Sequence, residues 1–302
     1  MSGLIDIHTH WCLFGREPVE VMVELEWLEA GGFEKVVVFP LPGLGAPPEK
    51  VLDMVPGAYR ELTGLNPART ANDDLESWLD FERRWRKHPR TMEVLSFLDV
   101  RGWDGKTDLS VWWGGGHAGL KSIIIEEEDS AKMRMPPLRQ VPGLTRAAYL
   151  DAQRTVFDAS SRFKVPLVYH ADLTLHCGFV EECLQAHPLL QVNIPHFGFS
   201  RKRMAELLDR YPALMTDISS LGPYMDTDPV SYRDFILDYP NRVMLGSDAI
   251  ASHDMRMAME YVDRVRGLGL PPYIEEGVLA GNACRFLYGG GYEKNRPSAC
   301  DS

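Results

Sequence analysis

Residues 4–10 read Leu4-Ile5-Asp6-Ile7-His8-Thr9-His10. Short apolar, β-branched runs of this kind suit a buried strand. Strand side chains two apart share a face, so His8 and His10 aim two imidazoles at one point, with Asp6 standing behind them. Imidazole is a frequent ligand of divalent zinc. A His-x-His pair alone is equally compatible with packed histidines, so the rest of the chain has to decide.

Seven further apolar runs follow, at residues 35–39, 92–100, 118–125, 165–170, 190–196, 214–218 and 243–246. Their two-sided apolar character suits strands buried on both faces. Helical patterns lie between them, over 19–30, 147–163, 252–265 and 273–280. Ser200 is placed to cap another, with Met204, Leu207, Leu208 and Tyr211 at helical spacing and Pro212 after it. Strand-helix alternation implies parallel strands with right-handed crossovers, and eight strand candidates predict a (β/α)8 TIM barrel. Loops after the early strands are enlarged. Residues 43–89 carry a helical stretch at 72–87, and 126–143 turn from charged to proline-rich. Residues 1–288 are expected to form the barrel, and 289–302 a loosely ordered tail.

The ends of the runs carry the chemistry. His170 ends the fifth, His196 the sixth, and Asp248 follows the eighth. Barrel enzymes place reacting groups at the C-terminal ends of their strands. Histidines with one carboxylate suit one divalent ion, zinc first and manganese or iron as alternatives.

Asp6-x-His8-x-His10, Gly119-Leu120-Lys121, His170, His196-Phe197-Gly198, Gly246-Ser247-Asp248 and the closing Gly281-Asn282-Ala283 stand in that order. In this order the chain resembles the amidohydrolase superfamily. It is most similar to the amidohydrolase-2 branch, which includes aminocarboxymuconate-semialdehyde decarboxylase-like enzymes. The resemblance spans Asp6 to Leu287. It implies His8, His10, His170 and Asp248 as metal ligands, a catalytic His196 beside them, and a structural Asn282 at a helix start. Asp248 could touch the metal and also take a proton from a metal-activated water, while His196 could bond that water or a developing oxyanion. In related two-metal sites the His196 position is itself a ligand.

Lys121 departs from the branch, since Ser-Ile-Ile-Ile follows it where histidine and proline are common. Some superfamily branches carbamylate this lysine; unmodified, Lys121 would bind a substrate carboxylate or pair with an acid. Arg101 is a second candidate for an anionic substrate, against an ion pair with Asp99. Trp11, Phe14, Trp112 and Trp113 are candidate pocket residues, against ordinary packing. His176 and His253 read as loop residues. Arg201-Lys202-Arg203 sets three cations on a helix's first turn, where the macrodipole disfavours them.

The formal net charge is -11, which argues against nucleic acid and anionic membranes as partners. Five scattered cysteines without a CxxC pair suggest reduced thiols in a cytoplasm, and no signal peptide is visible. The partner expected is a small molecule, with a carboxylate compatible with Lys121 and Arg101; a homodimer is compatible too. The leading expectation is a metal-dependent hydrolase of a lactone, amide or similar bond. The alternative is a nonoxidative decarboxylase of a carboxylated aromatic or muconate-like acid. A decayed barrel conflicts with the intact ligand set. A histidinol-phosphatase-type phosphoesterase wants further His and Asp-x-His pairs, and a TatD-type nuclease prefers a His-x-Asp opening.

Overall fold

The computed structural model describes residues 3–13, 16–41, 50, 53–57, 71–85, 87, 92–110, 116–251 and 253–289, with only the backbone over 71–77. Its strands are β1 (Leu4–Trp11), β2 (Phe33–Pro40), β3 (Glu93–Asp99), β4 (Gly119–Ile123), β5 (Leu167–His170), β6 (Val192–Ile194), β7 (Leu214–Asp217), β8 (Val243–Met244) and β9 (Ala249–Ile250). All are parallel, in the order β8-β7-β6-β5-β4-β3-β2-β1-β9. Each of the eight runs read from the sequence holds a strand.

β8 and β9 are two parts of one chain run. On one side β8 pairs with β7 through Thr216 and Asp217. On the other, Ile7 N–H donates to the Leu245 carbonyl at 3.1 Å, and Asp248 and Ala251 N–H donate to the His8 and His10 carbonyls at 2.8 and 2.9 Å. The sheet's two ends therefore belong to one run, and the ring closes as a TIM barrel.

Two apolar layers follow. Inside the barrel lie Ile5, Ile7, Val37, Phe39, Phe97, Val168 and Met244. Ala283, Phe286 and Leu287 of the helix Asn282–Tyr288 join them and plug the end where β8 begins. Asn282 Nδ2 fixes that plug by donating to the Pro240 and Val243 carbonyls at 3.0 and 2.6 Å. A second layer, between strands and helices, holds Leu4, Trp11, Val36, Val38 and their neighbours. Each fully buried large apolar side chain contributes about 1.5–3 kcal/mol.

β1 departs from simple alternation. Its register against β2 slips between Asp6 and Thr9, where three steps on β1 oppose two on β2. Such an extra residue reverses the phase of the side chains beyond it. Ile5 and Ile7 thus fill the barrel's lower interior, and His8 and His10 still turn inward against Phe39, at ring distances of 5.0 and 5.2 Å. The strict two-residue spacing expected of Asp6, His8 and His10 is corrected by this bulge.

Among the helices, Ser200 caps Arg201–Arg210 as read, accepting from Arg203 N–H at 3.3 Å. The stretch read over 252–265 begins later, as a tight turn at Met255–Met257 and then Ala258–Gly267. The one read over 273–280 widens into a π-helical turn at Gly277–Gly281. His176, read as a loop residue, lies on the helix Leu173–Ala186, and its Nε2 sits 2.6 Å from Asp129. Asp172 caps that helix through Thr174 N–H at 2.8 Å. Cys12, Cys177 and Cys183 carry free thiols, in line with the reduced state expected of them. The expected tail past 289, Phe14, Trp112, Trp113 and most of the loop 43–70 lie outside the described residues. No helix among the described residues is long and apolar enough to cross a membrane.

Candidate metal centre

The ends of β1, β6 and the β8–β9 run converge. One ligand atom each of His8, His196 and Asp248 lies within 4.8 Å of the others, and all three residues are buried. Asp248 Oδ1 stands 3.3 Å from His8 Nε2 and 3.1 Å from His10 Nε2. His170 completes the group, with its ring 5.1 Å from that of His196. The structure therefore brings together His8, His10, His170, His196 and Asp248. Its tightest donor set includes His196, which the family resemblance had placed beside the ligands.

A layer behind the histidines sets their orientation. Asp217, at the end of β7, lies 3.1 Å from His8 Nδ1. It also accepts from Asn193 Nδ2 at 2.6 Å and from Ser219 N–H at 3.0 Å. His196 Nδ1 lies 2.6 Å from the Ser219 carbonyl, so it carries the proton and donates. Both rings are thereby left with Nε2 toward the cluster, as ligating imidazoles require. Ser220 Oγ donates to Asp248 Oδ2. Asp217 was not singled out in the sequence. The signal was available, because residues 214–217 form an apolar run ending in a ligand-type residue.

The Gly246-Ser247-Asp248 motif has a reason for each member. A Cβ on Gly246 would meet His8 Cβ at 3.0 Å and Asp217 Cγ at 3.2 Å, so any larger residue would push these neighbours apart by a few tenths of an ångström. Ser247 donates to Asp6, from Oγ at 2.6 Å and from N–H at 3.1 Å. Asp6 also accepts from His8 N–H at 3.0 Å, which makes it the tie between β1 and the eighth run. Asp248 reaches the cluster with φ +62°. Ser220 and His196 are also left-handed, at +54° and +56°. Such conformations cost about 1–3 kcal/mol each and gather at functional sites.

Electrostatics matches the geometry. Burial drives His10 down to about 4 and His170 well below its ordinary range. Burial lowers His196 as well, so these rings are neutral at pH 7 with lone pairs available. His8 differs: burial and Lys121 disfavour its proton, but Asp217 and Asp248 outweigh them and its pKa rises. Burial works against ionised Asp248, yet the charge of His8, hydrogen bonds with His10 and His8 and the charge of His196 hold it well below the carboxylate range. Burial pushes Asp6 up to about 7 despite its hydrogen bonds.

Lys121 ends up buried at the cluster's edge, 5.0 Å over the Phe39 ring, and no hydrogen bond reaches its Nζ. Burial lowers its pKa to about 8, the nearby Asp99, Asp248 and Asp217 opposing the drop. Arg101 is buried and paired internally: Nε and Nη2 reach Asp99 Oδ2 at 2.9 and 2.7 Å, and Nη1 reaches the Met54 carbonyl at 3.1 Å. Trp11 faces away from the site, packing at 5.1 Å on Trp78 and 4.6 Å on Phe81 in the outer layer. Arg101 is thus held by Asp99 and the Met54 carbonyl, near enough to His10 for its charge to disfavour that ring's proton. Arg201 lies 4.4 Å over Tyr232 with Nη2 3.8 Å from Asp228, and Arg203 lies 2.9 Å from Glu206, while Arg201 Nη1 is buried without a hydrogen bond.

One element is unusual. His196, Phe197, Gly198 and Phe199 have φ of 56, 53, 54 and 56°, a full left-handed turn. Left-handed backbone costs roughly 1–2 kcal/mol per non-glycine residue. The turn is held by Phe197 N–H on Thr216 Oγ1 at 3.2 Å, and by Phe197 stacked at 4.5 Å on Phe235. A Cβ at position 198 would come within 2.4 Å of Leu173. Gly198→Ala is therefore expected to cost about 1–3 kcal/mol in a urea titration and to lower turnover by displacing His196. Unchanged stability and turnover would show that the turn is not constrained.

Comparison with known proteins supports the same class. The amidohydrolase family model matches residues 5–288, and the chain belongs to that family. Solved structures share its fold at low identity. The phosphotriesterase homology protein of Escherichia coli has 13% identity and a TM-score of 0.61, covering 95% of this chain and 99% of its own. The 2,6-dihydroxybenzoate decarboxylase of Rhizobium has 15% identity and a TM-score of 0.54, with the same coverage of 95% and 99%. A TatD family hydrolase of Entamoeba histolytica has 9% identity and a TM-score of 0.60, covering 95% and 98%. Among curated protein sequences no match is found.

Proposed function

We propose that this protein is a metal-dependent hydrolase that opens a lactone, amide or similar bond of a small organic substrate. The observation that carries the proposal is the convergence of His8, His196 and Asp248 within 4.8 Å, with His10 and His170 beside them. The donor set fits a divalent ion. His8 Nε2 is buried 3.3 Å from Asp248 Oδ1, and nitrogen with carboxylate oxygen suits zinc first. When bound, such an ion supplies Lewis acidity and lowers the pKa of water to about 7.

The chain's own groups divide the remaining work. Asp217 and the Ser219 carbonyl fix the tautomers of His8 and His196. Ser220 holds Asp248 Oδ2, leaving Oδ1 on the histidine side to receive a proton from the attacking water. Lys121 would neutralise a substrate carboxylate or polarise a carbonyl, a role supported by its buried Nζ that makes no hydrogen bond. This lysine also supports the second reading, decarboxylation of a carboxylated aromatic or muconate-like acid. A panel of lactones, amides and carboxylated aromatics, read by proton release and by CO₂ release, separates the two. Chelation is expected to lower activity at least about 10²-fold, reversibly on adding zinc or manganese. Activity indifferent to chelation would sink the proposal.

Lys121→Met gives an independent check. Removing a buried amine that makes no hydrogen bond is expected to raise stability by about 1–4 kcal/mol. Turnover of carboxylate-bearing substrates should fall at the same time, a trade usual at functional sites. Higher stability with turnover unchanged would mark Lys121 as structural.

A further inference from the structure

This inference rests on the proposed metal centre and concerns the part of the substrate that does not react. Residues 196–199 form a left-handed turn, with φ between 53 and 56° throughout. In a turn of either hand, residues three apart lie on one side, so the turn brings Phe199 over the side occupied by His196. The ring of Phe199 stands 5.4 Å from that of His196 and 5.3 Å from that of His170. Yet Phe199 is 49% exposed, whereas Phe197 in the same turn is buried against Phe235 and Tyr232. Phe197 and Gly198 explain how the turn is held; neither explains why it ends in a half-open aromatic ring. A strained backbone that presents an apolar ring to solvent beside two site histidines is poor packing and good recognition.

We propose that Phe199 is the apolar wall of the substrate pocket. It takes a flat, unsaturated ring or chain whose carboxylate or carbonyl reaches the His8, His196 and Asp248 cluster. An aromatic wall prefers a flat π-system over a saturated group of similar size, through ring–ring geometry added to simple burial.

The test uses two monocarboxylates of like charge and size, benzoate and cyclohexanecarboxylate. Calorimetry follows their binding to the zinc-treated protein as wild type, Phe199→Ala and Phe199→Leu, with zinc content measured on each sample. Wild type is expected to bind benzoate about threefold to tenfold more tightly. Both variants should bring that ratio to about one while keeping the wild-type melting temperature. Phe199→Leu retains apolar area, so loss of the preference there identifies the aromatic ring as its source. A ratio unchanged in either variant, or no benzoate preference in wild type, overturns the proposal. Protein that takes up no zinc refutes the metal reading alone, since the benzoate ratio of the zinc-free protein still decides the role of Phe199.

Discussion

Asp248→Ala is expected to lower turnover by about 10²- to 10⁴-fold, the range for a general base. The same side chain also belongs to the donor cluster, so the loss should fall at the upper end. Asp248 is the only carboxylate among the three converging residues, and its Oδ1 lies within 3.3 Å of both His8 Nε2 and His10 Nε2. Asp248→Asn separates the two roles. It keeps the shape and one oxygen, so it should retain part of the metal but lose the proton acceptor. Measured turnover should therefore drop in Asn nearly as far as in Ala. An Asn variant with near wild-type turnover would remove Asp248 from the proton transfer.

Asp217→Ala is expected to weaken metal affinity by about 10- to 100-fold, the usual effect of losing a carboxylate behind a ligating histidine. It should also destabilise the fold by about 3–5 kcal/mol, as for a broken buried ion pair. His8 Nδ1, Asn193 Nδ2 and the Ser219 amide would all lose their shared acceptor. The pH dependence has a definite sign. Burial opposes the charge on Asp217, but His8, His196 and Ser219 outweigh it and set its pKa far below the usual value. A depressed carboxylate stabilises above its unfolded pKa of about 4, and that contribution is lost as pH falls toward the folded value. Wild type should thus lose stability steeply below about pH 4 and Asp217→Ala less steeply. Parallel acid-unfolding curves would deny Asp217 this role.

The strand runs and the residues ending them were legible because burial on both faces writes itself as unbroken apolar sequence. The Ser200 cap was legible because its side chain acts on backbone three residues away, whereas Asn282, implied by the family resemblance as a helix start, acts on the distant carbonyls of Pro240 and Val243. The β1 bulge was not, since Asp6-Ile7-His8-Thr9-His10 alternates perfectly and only the register with β2 reveals the extra residue. Trp11 follows the same logic: its place one step beyond His10 sends it outward to Trp78 and Phe81. The left-handed turn at His196–Phe199 left one trace, Gly198, because its stability comes from distant Thr216 and Phe235. Asp217 was legible as a ligand-type residue ending an apolar run, but its role was not, because its partners, His8 and Asn193, come from other strands.

Elemental analysis of the purified protein, before and after zinc reconstitution, decides whether His8, His196 and Asp248 hold a metal. About one divalent ion per chain is expected in wild type, with a large loss in Asp248→Ala under the same conditions. A reconstituted wild type holding no metal, or an Asp248→Ala variant holding as much as wild type, would contradict it.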